Sequence, residues 1–223
     1  MARSAEDKAL ASQVIDTARA MNASGINQGK SGNVSVRSED LSAMLITPSG
    51  MDYDDLTADD IVSVALKDGA AEGPLLPSSE WRMHRDIYAA RPEAGAVVHT
   101  HATFSTALSC RREGIPAFHY MVAMAGGTDI RCADYATFGT QELSERMLQA
   151  LDGRKACLLA NHGMICLEAS AKKALALAVE VETLARQYWH ACQGGAPTLL
   201  SDAEMAEVLE RFKSYGKQPG RKD

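Results

Sequence analysis

Cysteine is sparse and unpatterned in this chain. Its five cysteines, Cys110, Cys132, Cys157, Cys166 and Cys192, are odd in number, scattered, and never in a Cys-x-x-Cys arrangement. Neither a disulfide framework nor a thiolate zinc cluster is built that way, so the thiols read as reduced and mostly buried. Long hydrophobic runs are also missing. No uninterrupted apolar stretch approaches the ~20 residues that span a bilayer, and the opening MARSAEDKAL is charged rather than leader-like. A basic excess is absent as well: 23 Lys and Arg stand against 29 Asp and Glu, a net charge of -6. That leaves no cationic face for duplex nucleic acid or an anionic membrane. The expectation is a cytoplasmic protein that binds small molecules, with any phosphate held locally.

What is present is enough for one sizeable core. The 223 residues are 46% hydrophobic and 23% charged, the profile of a soluble globular domain, and a single domain over 1–223 is expected. Leu10, Val14, Ile15, Ala18 and Met21 recur at helical spacing over 5–24, with Ser4 as a candidate cap and a stop near Gly25. Asn33–Arg37 and Met44–Thr47 read as short paired strands, and Thr57–Asp60 as a capped turn before a strand over Ile61–Leu66. Residues 67–77 read as an exposed loop, followed by a helix over Glu80–Ala90 capped by Ser78 or Ser79. A strand at 96–100, helices near 102–111 and 140–151, a buried strand at 156–160 and long helices at 171–192 and 202–213 complete an α/β pattern of helices around a central sheet.

Against this background one pair of residues stands out. In Ala96-Val97-Val98-His99-Thr100-His101 the two histidines are at i and i+2, so in an extended segment both imidazoles project to one face. A third imidazole and a carboxylate would complete an N/O shell suited to zinc or another borderline divalent ion rather than calcium or magnesium. Glu80 and Asn161-His162-Gly163 supply those residue types. Glu80 also fits a plain first-turn helix acid, and His84 and His190 read as structural histidines.

A second signal is a set of three short polar turns: Ser31-Gly32-Asn33, Thr47-Pro48-Ser49-Gly50 and Pro77-Ser78-Ser79. Glycine lets backbone N–H groups approach an anion, hydroxyls add donors, and a helix start adds a favourable dipole. Together they suit a phosphate monoester, although each alone also fits an ordinary turn.

In order along the chain, Asn27-Gln28-Gly29, Ser31 to Arg37, Leu45-Ile46-Thr47-Pro48-Ser49-Gly50, Leu76-Pro77-Ser78-Ser79-Glu80-Trp81-Arg82 and the His-x-His segment resemble the class II aldolase/adducin family. So do Ile115-Pro116-Ala117-Phe118-His119-Tyr120, Tyr135-Ala136-Thr137-Phe138-Gly139-Thr140 and Phe212-Lys213-Ser214-Tyr215-Gly216, which carries the resemblance over roughly Asp16 to Gly216. The resemblance implies a central, mostly antiparallel sheet flanked by helices, and one zinc ion on Glu80, His99, His101 and His162. Cobalt, manganese or iron(II) would suit the same donors. It implies substrate and phosphate contacts from Gly32, Asn33, Ser49, Gly50, Ser78 and Ser79. It further implies a cyclic homotetramer with active sites between subunits, to which the neighbouring chain lends Tyr120 and Tyr215.

The chemistry so implied is reversible aldol cleavage of a ketose 1-phosphate of the L-fuculose 1-phosphate type. Its products are dihydroxyacetone phosphate and an aldehyde such as L-lactaldehyde. The ion is the Lewis acid, so no Schiff-base lysine is required. Glu80 is the candidate for proton transfer at C3, and Tyr120 for the C4 oxygen. Thr103-Phe104-Ser105 and Ala160-Asn161 depart from the more polar residues expected there. A less polar aldehyde pocket suits 5-deoxyribulose or 5-methylthioribulose 1-phosphate, by-products in methylthio salvage, as the alternative substrates. Sugar-phosphate 4-epimerases share the turns and the His-x-His pair but usually carry Asp at the position of Glu80. A dehydratase acting on methylthioribulose phosphate is a similar outsider. Adducin-like binding domains lack the histidine ligands, and a zinc hydrolase would not need three phosphate-type turns.

Overall fold

The computed structural model describes residues 4–214. Helix α1 (Ala5–Ala23) begins where Ser4 accepts a hydrogen bond from the Asp7 amide at 3.0 Å, with Glu6 and Asp7 against the positive helix end. Its buried stripe, Ala11, Val14, Ile15, Ala18 and Met21, lies on one face.

Eight strands form one sheet: β1 (Asn33–Arg37), β2 (Ala43–Ile46), β3 (Val62–Ala65), β4 (Ala71–Glu72), β5 (Ala96–Thr100), β6 (Cys132–Ala133), β7 (Ala156–Leu159) and β8 (Gly163–Glu168). Their order is β4-β3-β2-β1-β5-β8-β7-β6, and every neighbouring pair is antiparallel except β6 with β7. The expected mostly antiparallel sheet flanked by helices is the one observed.

Period-two alternation sorts the side chains between two cores. Val34, Val36, Ala96, Val98, Ala156, Leu158, Met164 and Cys166 pack on the side of α1 and α5 (Ala171–Ala191). On α5 the buried positions Ala174, Leu177, Ala178, Val181, Leu184 and Ala185 follow the three-and-four spacing of an apolar helix stripe. Met44, Ile46, Val97, Cys157, Leu159, Ile165 and Leu167 pack on the other side, with α2 (Trp81–Ala90) and α4 (Gln141–Ala150). Helices α3 (Thr103–Cys110) and α6 (Asp202–Phe212) complete the regular elements.

The structure differs from the sequence reading in a few places. A two-residue strand, β4, lies inside the expected loop 67–77, and β6 is equally short; neither is long enough to display a period. β8 has a different reason for being missed. Buried almost throughout, it reads as a continuous apolar run rather than an alternation. Helix α2 starts at Trp81, with Glu80 at the capping position and no side-chain cap there, because the Glu80 carboxylate turns towards the histidines. Ser78 instead accepts the Glu80 amide at 3.3 Å.

Candidate metal centre

Strand register explains why the centre forms. Asn33 on β1 lies directly opposite His99 on β5, and Ser35 opposite Val97. All four have the parity of the α2 face, as does His101 two residues on. Antiparallel pairing of Thr100 with Met164 brings the turn before β8, and with it His162, beside His101. That turn needs close backbone approach: a Cβ on Gly163 would lie 2.5 Å from the Thr100 carbonyl oxygen. Asn161, just before His162, has φ 56, and its amide donates to the Ser109 carbonyl at 3.0 Å. The His162 amide reaches the Ser109 hydroxyl at 3.3 Å.

One donor atom from each of Glu80, His99, His101 and His162 falls within 4.8 Å of all the others. His99 Nε2 is 3.0 Å from Glu80 Oε2 and 3.2 Å from His101 Nε2, while Glu80 Oε1 is 3.2 Å from His162 Nε2. The other ring nitrogen of His99, Nδ1, is 2.9 Å from the Met164 carbonyl oxygen. A carbonyl only accepts, so Nδ1 carries a hydrogen and Nε2 is the nitrogen turned to the cluster, a ligand atom when an ion replaces its proton.

Electrostatics agree with a cation site. Burial, followed by the charge of His99, pushes His101 down to about 4 and His162 to about 3, so both imidazoles are neutral near pH 7. Burial alone would raise the Glu80 carboxyl. The charge and hydrogen bond of His99, then His162 and the Asn33 amide, outweigh it and hold Glu80 well below the ordinary carboxylate range. Glu80 Oε1 is buried and accepts no well-directed hydrogen bond. A buried carboxylate clustered with three imidazoles, one of its oxygens without a donor, is the donor set of a divalent ion with nitrogen and oxygen ligands.

The polar turns converge only in part. The Ser49 amide donates to the Leu76 carbonyl and the Ser78 amide to the Thr47 carbonyl, each at 3.0 Å, so Ser49-Gly50 and Ser78-Ser79 lie side by side at the start of α2. Gly32 packs against β5, where a Cβ would stand 2.6 Å from the His99 carbonyl oxygen. A cavity of about 350 Å³ opens beside the histidines, lined by Ser31, Ser79, Glu80, His101, Tyr135, Ala136, Phe138, Asn161 and His162. The Asn33 side chain does not line it; the carboxamide donates to Glu80 Oε2 at 3.2 Å and meets His84 at 2.5 Å. Tyr120 starts a 3-10 segment (Tyr120–Ala125), is half-exposed and lies outside the lining of this cavity. Tyr215 lies outside the described residues.

Sequence reasoning gave Tyr135 and Phe138 no role, although both sit in a quoted motif. Their exposure beside the cavity is a property of loop geometry that no periodicity announces. The role of Asn33 as a partner of Glu80 was likewise missed, and there a signal existed in the shared parity of Asn33 and Ser35 on β1.

Comparison with known proteins agrees with this geometry. The model of the family described as Class II Aldolase and Adducin N-terminal domain matches residues 12–189. The chain is 57% identical over 208 residues to the 5-methylthioribulose-1-phosphate/5-deoxyribulose-1-phosphate aldolase of Rhodospirillum rubrum, covering 93% of each chain. It is 52% identical over 212 residues to the L-fuculose phosphate aldolase of Escherichia coli K12, covering 95% of this chain and 97% of the relative. A solved L-fuculose 1-phosphate aldolase superposes with a TM-score of 0.89 at 40% identity, over 96% of this chain and 98% of the other. With family, relatives and His/Glu cluster in agreement, the chain belongs to the class II aldolase and adducin N-terminal domain family.

Proposed function

We propose that this class II aldolase cleaves the C3–C4 bond of a ketose 1-phosphate of the L-fuculose 1-phosphate type, reversibly, to dihydroxyacetone phosphate and an aldehyde. The observation that carries the reading is the convergence of Glu80, His99, His101 and His162 beside a cavity whose rim includes Ser31 and Ser79. Three imidazoles and one carboxylate favour zinc, and the same set accepts cobalt, manganese or iron(II). When bound, such an ion supplies the positive charge that stabilises the electron pair left on the ketone half.

The protein groups do the rest. The Ser49, Ser78 and Ser79 hydroxyls, with the Gly50 and Ser79 amides and the start of α2, hold the phosphate end, with Gly32 and the backbone of Asn33 behind them. Glu80 Oε1, which has no hydrogen-bond donor of its own, holds the proton exchanged with C3. Tyr120 holds the proton exchanged with the C4 oxygen. In its own chain Tyr120 is away from the cavity, so this role needs a neighbouring subunit, and the exposed Tyr120, Tyr135 and Phe138 are apolar surface for such a contact. The homotetramer that the family resemblance implies would meet this need, with Tyr215 contributed in the same way. Free, scattered thiols support a cytoplasmic setting. No helix among the described residues is long and apolar enough to cross a membrane.

A second reading, cleavage of 5-methylthioribulose or 5-deoxyribulose 1-phosphate in methylthio salvage, is favoured by the aromatic and aliphatic wall of Tyr135, Ala136 and Phe138. An apolar pocket does not strongly reject an analogue that adds one hydroxyl, so one site can turn over both. The test is coupled detection of dihydroxyacetone phosphate from metal-loaded protein offered each ketose in parallel, with Glu80→Gln as control. A preference in kcat/KM names the substrate class. Full metal occupancy without cleavage of either ketose refutes the reading.

A further inference from the structure

Two repeats of nearly equal length face each other behind the metal centre. On α2, Glu80, His84 and Tyr88 are spaced by four residues, a rise of about 6 Å per step along one helix face. On β1, Asn33 and Ser35 are spaced by two, about 6.6 Å along one strand face. The two rows interdigitate, and all five side chains are buried. Asn33 lies between Glu80 and His84, with contacts of 3.2 and 2.5 Å; Ser35 lies between His84 and Tyr88, with contacts of 2.7 and 2.8 Å.

The direction of every hydrogen bond in this row follows from its end. The carboxylate of Glu80 only accepts, so Asn33 presents its amide nitrogen to Oε2 and its carbonyl oxygen to His84. His84 Nε2 must therefore donate. In the neutral ring Nδ1 then accepts from the Ser35 hydroxyl, and Ser35 in turn accepts from Tyr88. We propose that Tyr88, Ser35, His84 and Asn33 form a one-way hydrogen-bond relay that positions Glu80. The relay holds Oε2, which also lies 3.0 Å from His99 Nε2, and leaves Oε1 turned towards His162, 3.2 Å away. It rests on the reading of Glu80 and the three histidines as a metal centre. Tyr88, Ser35 and His84 touch neither ion nor substrate; they are positioning residues that act through Asn33. Chains of aligned hydrogen bonds polarise one another, so the last donor is stronger than an isolated amide.

The test is a Co²⁺ titration of the metal-stripped full-length chain, followed by visible absorption, with a melting curve for each variant. Ser35→Ala and His84→Phe break the relay and are expected to raise the Co²⁺ Kd about 10–100-fold, the usual effect of losing a residue that orients a ligand. His84→Gln keeps one donor and one acceptor and is expected to restore most of the affinity. Tyr88→Phe removes one hydroxyl four hydrogen bonds from Glu80 and should give a smaller rise. Lowered melting temperatures with a wild-type Kd overturn the relay. If Ser35→Ala and His84→Phe do not fold, Tyr88→Phe decides, a raised Kd supporting the relay and an unchanged one overturning it. Failure of the wild-type chain to bind Co²⁺ refutes the metal centre itself, and the relay falls with it.

Discussion

Helix α3 touches the candidate centre at both ends. His101 lies two residues before its start, and Ser109 near its end holds the Asn161 and His162 amides. Yet α3 has no cap of its own: Ala102 stands at the capping position. The cap comes from α5, where the Glu182 carboxylate accepts the Phe104 amide, the Ser105 amide and the Ser105 hydroxyl, each at 2.8 Å. Glu182→Ala removes all three. Loss of a capping acceptor costs about 1 kcal/mol, and loss of an anion at a helix start adds up to about 1 kcal/mol. Leaving the fully buried Ser105 hydroxyl unpaired adds about 1 kcal/mol more. The expected sum is about 2–3 kcal/mol, or about 5–10 °C in Tm for a chain of this size. Glu182→Gln keeps one acceptor and should lose about half of that. Because α3 braces both His101 and His162, Glu182→Ala should also weaken Co²⁺ binding. Ser4→Ala, which removes the cap of α1, should cost about 1 kcal/mol and leave metal binding alone. Urea unfolding of the metal-stripped proteins and Co²⁺ titration measure both effects. Glu182→Ala within 0.5 kcal/mol of wild type would refute the borrowed cap.

Tyr120→Phe is expected to keep substrate binding while kcat falls by about 10²–10⁴, and undiminished turnover in a steady-state assay would remove Tyr120 from the reaction. Gly32→Ala drives a methyl group to 2.6 Å from the His99 carbonyl and 2.7 Å from Asn27 Oδ1, so β1 and β5 must part. The expected cost is about 1–3 kcal/mol in urea unfolding, with weaker Co²⁺ binding. His84 gives a pH signature. Burial holds its folded pKa down to about 3 against an ordinary 6.5, so below pH 6.5 the unfolded chain takes up a proton that the folded one refuses. Its contribution is complete above that pH and is lost by about 1.4 kcal/mol per unit on the way down towards pH 3. Urea midpoints of metal-stripped wild type and His84→Gln across this window should show a shallower fall for the variant.

The long helices were legible because spacing and caps agree. α1, α5 and α6 run within one or two residues of the reading, and Ser4, the candidate cap, does accept the Asp7 amide. The β1–β2 pair and β5 were legible from short β-rich runs bounded by turn residues. β8 was not, since burial of both faces erases alternation and leaves an apolar run that marks no particular element. The His99–His101 pair announced its own geometry through strand parity. Glu80 and His162 did not, because helix start and β7–β8 turn meet β5 only through tertiary pairing. The motif resemblance, not spacing, supplied them. His84 shows the limit in the other direction. Reading it as structural was reasonable for a buried histidine, and it is buried, but only the interdigitation with β1 reveals that its hydrogen bond points along a path to Glu80.

The centre and the cavity wall are therefore built on different supports. Glu80, His99, His101 and Asn33 are placed by strand register and by one helix face packed across it. Tyr135, Phe138 and Asn161 sit on connections at the sheet end, where a change of side chain alters the cavity without disturbing the register. That division would let the cavity wall, and with it the aldehyde half accepted, change while the ligand set stays in place. It also explains how relatives named for an L-fuculose phosphate and for a methylthioribulose phosphate each match this chain across more than half of its aligned residues.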